Sequence, residues 1–219
     1  MARFIPQLIN LLAAGILLLS FAMISQRRIA SLINLFALQG AALVAASVLL
    51  GYTGDHPDLY VSAALTLALK VVLIPWMLHR VIHKLNVRWD VEPLINVPTL
   101  MIAGIALVIF SFSLALPVSR LSSSIAGGSM GIALACVLLS FMMMITRSRA
   151  VPQVIGFLSM ENGLIFAATA ATNGMPMIVE FGIALDVLVG ILILGVFMFQ
   201  IREQFDSLDI HHLEQLKED

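Results

Sequence analysis

The sequence predicts an all-α membrane protein of about seven spanning helices. Runs of roughly 20 apolar residues recur along the whole chain, the length an α-helix needs to cross a hydrocarbon core of about 30 Å. The 219 residues are 60% hydrophobic and only 11% charged, where soluble domains carry about 25% charged residues. The basic residues gather at alternate turns between the apolar runs, as they do in polytopic proteins.

Taken in order, the predicted spans cover about 5–25, 30–51, 59–84, 97–116, 128–146, 151–172 and 177–201. The first, within MARFIPQLINLLAAGILLLSFAMIS, is longer than the apolar core of a signal peptide and lacks a small-x-small cleavage site, so it reads as a membrane helix. The third contains Lys70 and Pro75. A proline has no N–H to give to the preceding turn, so a kink is expected just past Lys70. From Arg202 the chain turns polar, with short amphipathic potential in LDIHHLEQLK.

Nine basic residues (Arg27, Arg28, Arg80, Lys84, Arg88, Arg147, Arg149, Arg202 and Lys217) fall after odd-numbered spans, against Arg3 and Arg120 on the other side. The excess of Lys and Arg on cytoplasmic loops places the N-terminus outside and the C-terminus in the cytoplasm. A weak internal repeat is also readable. The stretch from Ile24 resembles the stretch from Ile145, which sets Gln39 opposite Glu161 and, further on, Lys70 opposite Asp186. It divides the chain into an N-terminal three-helix half (1–92), a fourth helix with its loop (93–127), a C-terminal three-helix half (128–201) and a cytoplasmic tail (202–219). Both halves point the same way, so the repeat is parallel.

Three ionisable residues lie deep in spans: Lys70, Glu161 and Asp186. A charge at the bilayer centre costs roughly 2.5–3.5 kcal/mol on insertion scales, so each needs a partner or a task. Counted from the helix ends, all three reach about the same depth. The functional reading is a proton-transfer line through the membrane interior; the structural one is an ion pair of Lys70 with either acid that only fixes helix register. Low dielectric favours the neutral form of any such group, and groups poised between two forms load and release protons. Glu180 nearer the outer surface, Gln39 and His79 are possible relay positions, with Glu180 also readable as an interfacial carboxylate. Gly182 and Gly190 flank Asp186 one turn away on either side, where small residues allow a neighbouring helix to come close. His79 and His83 stand one turn apart without a third ligand, so no metal site is expected, and they read as a hydrated helix end. The single Cys136 excludes an internal disulfide and any cysteine-rich metal or iron–sulfur site. A net charge of −1 without a basic tract excludes nucleic acid as an expected partner. No phosphate loop, nucleophile triad or zinc motif is present, and the short loops leave no room for a catalytic domain, so the chain is not expected to be an enzyme on its own.

The last three spans resemble the NuoK-like small subunit of respiratory complex I and its counterpart in Mrp-type antiporters. The resemblance rests on Arg147 and Arg149 in a basic turn, Glu161 within GFLSMENG, and Asp186 within IALDVLVGIL. Over nearly its full length, including LALKVVLIPWMLHRVI and the LDIHHLEQLK tail, the chain resembles the hydrogenase-4 component E family, the longer NuoK-like membrane subunit of group 4 [NiFe]-hydrogenase and formate hydrogenlyase-type complexes. The resemblance implies a subunit in the inner membrane of a prokaryote, packed beside antiporter-like subunits. In it Glu161 and Asp186 would help couple redox chemistry to proton or sodium movement, while a NiFe centre and iron–sulfur clusters reside in partners and no cofactor in this chain. Asp186 stands where the NuoK-like pattern usually has Glu, a shorter reach by one methylene. The rival readings are a purely structural adaptor, a subunit of an Mrp-type antiporter, and a free-standing transporter, the last disfavoured because seven helices with minimal loops leave little wall for a substrate cavity.

Overall fold

The computed structural model describes residues 4–54, 58–85, 93–121, 126–172 and 190. Among them the structure is helical throughout: α1 (Phe4–Ser25), α2 (Ile29–Gly54), α3 (Asp58–Thr66), a π-helical segment (Leu67–Leu73), α4 (Ile74–Leu85), α5 (Val97–Leu121), α6 (Ala126–Thr146) and α7 (Ala150–Thr172). The α3, π and α4 segments run on as one rod, so the described residues contain six helices long and apolar enough to cross a membrane. They coincide with the first six predicted spans. The predicted seventh span with Glu180 and Asp186 lies outside the described residues, apart from Gly190, as does the tail. A side chain begun at Gly190 would meet nothing within 4 Å among the described residues.

The helices form two rows of three. One row is α1, α2 and the α3–π–α4 rod; the other is α5, α6 and α7. Across the rows α1 packs on α5 and α6, and α2 packs on α7. Lipid supplies no hydrophobic drive between helices, so close packing must hold the rows together. Glycines provide it between α6 and α7. A side chain begun at Gly163 would stand 3.1 Å from Val137 Cγ2 and 3.2 Å from both Cys136 Cβ and the Val137 backbone nitrogen. Two turns earlier, at Gly156, it would stand 2.8 Å from Met144 Cγ and 3.3 Å from the Ser140 carbonyl oxygen.

At one end of the bundle the chain is tied by Arg147. Its guanidinium is buried and donates to the carbonyl oxygens of Ile24 and Gln26, at 2.8 and 2.7 Å. These lie at the C-terminus of α1, where the last carbonyls have no partner within the helix. The Leu94 N–H donates to the Thr146 carbonyl at 2.9 Å, and Pro93 pairs with Arg147 as an isolated bridge. The ends of α1 and α6 and the approach to α5 therefore meet, which puts Arg27, Arg28, Arg147 and Arg149 at one face. Burial lowers the Arg147 guanidinium from its ordinary value, yet arginine stays charged in proteins.

Candidate functional site

Two apolar clusters fill the bundle, one towards each end. Met23, Ile33, Phe36, Ile74, Leu78, Met143 and Leu158 belong to the cluster near the basic end. Ala13, Ile16, Leu43, Ala133, Cys136 and Phe166 belong to the other. Near the junction of the two clusters lie buried polar positions on four elements: Ser20 on α1, Gln39 on α2, Ser140 on α6, and Ser159, Glu161 and Asn162 on α7, with Lys70 reaching the same level from the π segment. The core thus carries a polar layer at mid-depth, with apolar packing above and below.

The charged members of this layer are paired. Lys70 Nζ stands 3.2 Å from Glu161 Oε1, with the side chains 0% and 2% exposed. The neutral members are hydrogen-bonded in series: Asn162 Nδ2 donates to Gln39 Oε1 at 3.1 Å, Gln39 Nε2 donates to Ser20 Oγ at 2.7 Å, and Ser20 donates on to the Ile16 carbonyl at 2.9 Å. Cys136 nearby is buried and free of any disulfide. A separate bond of 2.7 Å joins Ser140 and Ser159. Other hydroxyls in the spans, at Ser111, Ser113 and Thr169, satisfy themselves on the carbonyl one turn back and do not join the layer.

Local backbone geometry aims Lys70. The rod widens into π-helix over Leu67–Leu73, and the Ile74 N–H bonds to the Leu69 carbonyl, five residues back. Short π segments inside α-helices are rare and concentrate at functional sites. The sequence predicted a kink just past Lys70; the structure instead spreads the disturbance to both sides of it. Thr66, Lys70, Ile74 and Leu78 are buried at a strict spacing of four, which the wider π turn keeps on one face. Opposite it, α2 comes close because residue 40 is glycine: a side chain begun there would meet Val71 Cγ2 at 3.3 Å and Lys70 Cβ at 3.6 Å.

Depth is marked by Trp76, whose exposed ring lies under the Arg80 guanidinium at 5.1 Å. Such aromatic–basic pairs sit at membrane surfaces. Ten residues separate Lys70 from Arg80, about 15 Å of helix rise, which is half of a hydrocarbon core of about 30 Å. His79 belongs to this surface level. Its Nδ1 contacts the Pro75 carbonyl at 2.9 Å; a carbonyl only accepts, so Nδ1 carries the proton. It lies about 13 Å of helix rise from Lys70.

Sequence reasoning named Lys70, Glu161 and Gln39 but missed Asn162 and Ser20, both too small and neutral to stand out in an apolar run. It read Arg147 as a topology marker and as part of the basic turn in the resemblance, and the structure adds that the residue is a buried helix cap.

Comparison with known proteins places these residues in a family. No family model matches the chain, and no solved structure matches it. The chain is 31% identical to Uncharacterized protein Rv0085 of Mycobacterium tuberculosis over 212 residues, covering 96% of each. It is 21% identical over 210 residues to Hydrogenase-4 component E of Escherichia coli, covering 96% of this chain and 97% of the relative, and equally to that of Shigella flexneri. The chain thus belongs to the family of Rv0085 and is a distant, full-length homologue of Hydrogenase-4 component E.

Proposed function

We propose that this chain is a membrane-arm subunit of a hydrogenase-type oxidoreductase complex, and that its mid-depth polar layer takes part in moving protons, or sodium ions, driven by redox chemistry in other subunits. The full-length likeness to Hydrogenase-4 component E supports the assembly. The observation that carries the ionic role is the buried Lys70–Glu161 pair at 3.2 Å within that layer. Ionisable groups at this depth are expensive, and those retained commonly serve ion pathways. A carboxylate beside an ammonium passes between paired and protonated forms when either partner gains or loses a proton. Apolar packing lies on both sides of the layer, so charge passing through the described helices travels within it, from one lateral neighbour to another.

In this reading Glu161 and Lys70 are the exchanging groups, and Asp186 supplies a second carboxylate from the last span, with Glu180 on its outer side. His79 lies at the basic, cytoplasmic face, where it would meet protons entering or leaving. Antiporter-like subunits are the expected neighbours in a prokaryotic inner membrane, and the redox centres, a NiFe site with iron–sulfur clusters, belong to partners. The rival reading is a static adaptor whose charges only hold helices in register.

The test is Glu161→Gln and Asp186→Asn in the assembled complex, with redox turnover and ion movement measured separately. Translocation is expected to fall at least tenfold while the complex remains assembled. Full ion coupling with both residues changed would leave only the adaptor.

A further inference from the structure

We infer that Gln39 and Gly40, adjacent on α2, are the positioning residues that set the geometry of the Lys70–Glu161 pair. This rests on the ionic reading above and deepens it. The two members of the pair come from different helices, the π segment and α7, and α2 packs against both. Gly40 faces the first: a side chain begun there would touch Lys70 Cβ at 3.6 Å and crowd Val71 Cγ2 at 3.3 Å, so a methyl at position 40 presses on the π segment beside the lysine. Gln39 faces the second: its Oε1 accepts from Asn162, the residue next to Glu161, while its Nε2 is anchored on Ser20 of α1. Two consecutive residues of one rigid helix thus fix the lateral position of the lysine backbone and the rotation of the helix that carries the carboxylate.

Gln39 is unsuited to pass protons itself. A neutral carboxamide neither gains nor loses a proton near neutral pH. What it offers is one acceptor and two donors in a fixed fork, and both ends are used on buried partners. Among the described residues, the elements packed against α7 bring Lys70 from the π segment and Cys136 from α6 as titratable groups, with the neutral Gln39 from α2. Changes at positions 39 and 40 reach the pair directly, through Asn162 on one side and the Lys70–Val71 backbone on the other.

The experiment uses the assembled complex in its membrane with Gln39→Leu, Ser20→Ala and Gly40→Ala. Two readouts are taken: the pH profile of ion movement, and the infrared carboxyl band of Glu161, identified as the band that Glu161→Gln removes. Gln39→Leu and Gly40→Ala are expected to displace both pH dependences by about one unit or more, a tenfold change in proton affinity. Ser20→Ala, which loosens only the anchor, is expected to give a smaller displacement in the same direction. A residue that merely stabilises the fold would change the amount of assembled complex and leave the pH profile in place. Wild-type pH profiles and an unmoved band in Gln39→Leu overturn the inference; where that variant does not assemble, wild-type behaviour of both Ser20→Ala and Gly40→Ala overturns it equally. If Glu161→Gln itself keeps full ion movement, the ionic reading fails, while the infrared band still reports whether α2 positions the pair.

Discussion

Lys70 and Glu161 meet at 3.2 Å inside a membrane bundle, with no appreciable exposure of either side chain. They lie 91 positions apart in the sequence, so neither is explained by its own neighbours. Taking two charges out of water costs several kcal/mol each, and attraction in low dielectric repays this only when both partners are present. Removing one is therefore far worse than removing both. Lys70→Met or Glu161→Leu alone is expected to destabilise the chain by about 3–5 kcal/mol. The double replacement is expected to restore most of that loss. Thermal unfolding of the three variants in one detergent checks the ordering.

Packing at the α6–α7 contact should outweigh its hydrogen bond. Interhelical hydrogen bonds in membranes average about 0.6 kcal/mol, so Ser140→Ala or Ser159→Ala should be nearly neutral. Gly163→Ala places a methyl 3.2 Å from the Val137 backbone nitrogen, which no rotamer change relieves. Overpacking of this kind costs about 1–3 kcal/mol. Gly163→Ala should therefore lower the unfolding temperature more than either serine variant.

Arg147 is the second buried charge with a defined task. Arg147→Met would leave the Ile24 and Gln26 carbonyls without this donor, at about 1–3 kcal/mol for the buried Ile24 group and less for the part-buried Gln26. Arg147→Lys should rescue only in part, because an ammonium lacks the planar fork of the guanidinium. Accelerated proteolysis near residues 24–28 in Arg147→Met, relative to wild type, would register the freed end of α1.

The sequence made the spans legible because their signal is local: about 20 apolar residues must be helical in lipid, where every backbone group needs an internal partner. Predicted 97–116 and observed Val97–Leu121 start together and differ only at the far end, where Pro117 lies inside the helix. Lys70 and Glu161 were legible for a related reason, since a charge inside an apolar run is conspicuous. Their depth, counted from the helix ends, put them at one level, but counting does not show which helices touch. Gln39 stood out only through its place opposite Glu161 in the repeat, and in the structure it reaches α7 one residue further on, at Asn162. The capping by Arg147 was not legible because a basic residue at a turn normally faces water, and only the return of α1 to the same end gives it carbonyls to cap.

The central claim is that the Lys70–Glu161 pair moves charge and does more than hold helices together. The double replacement Lys70→Met with Glu161→Leu separates the two, because it removes both charges while keeping the volume filled. Ions translocated per redox turnover should be measured in the assembled complex carrying both changes. The account expects assembly and redox turnover to persist while translocation falls at least tenfold. Wild-type translocation with the pair replaced by apolar side chains would contradict it.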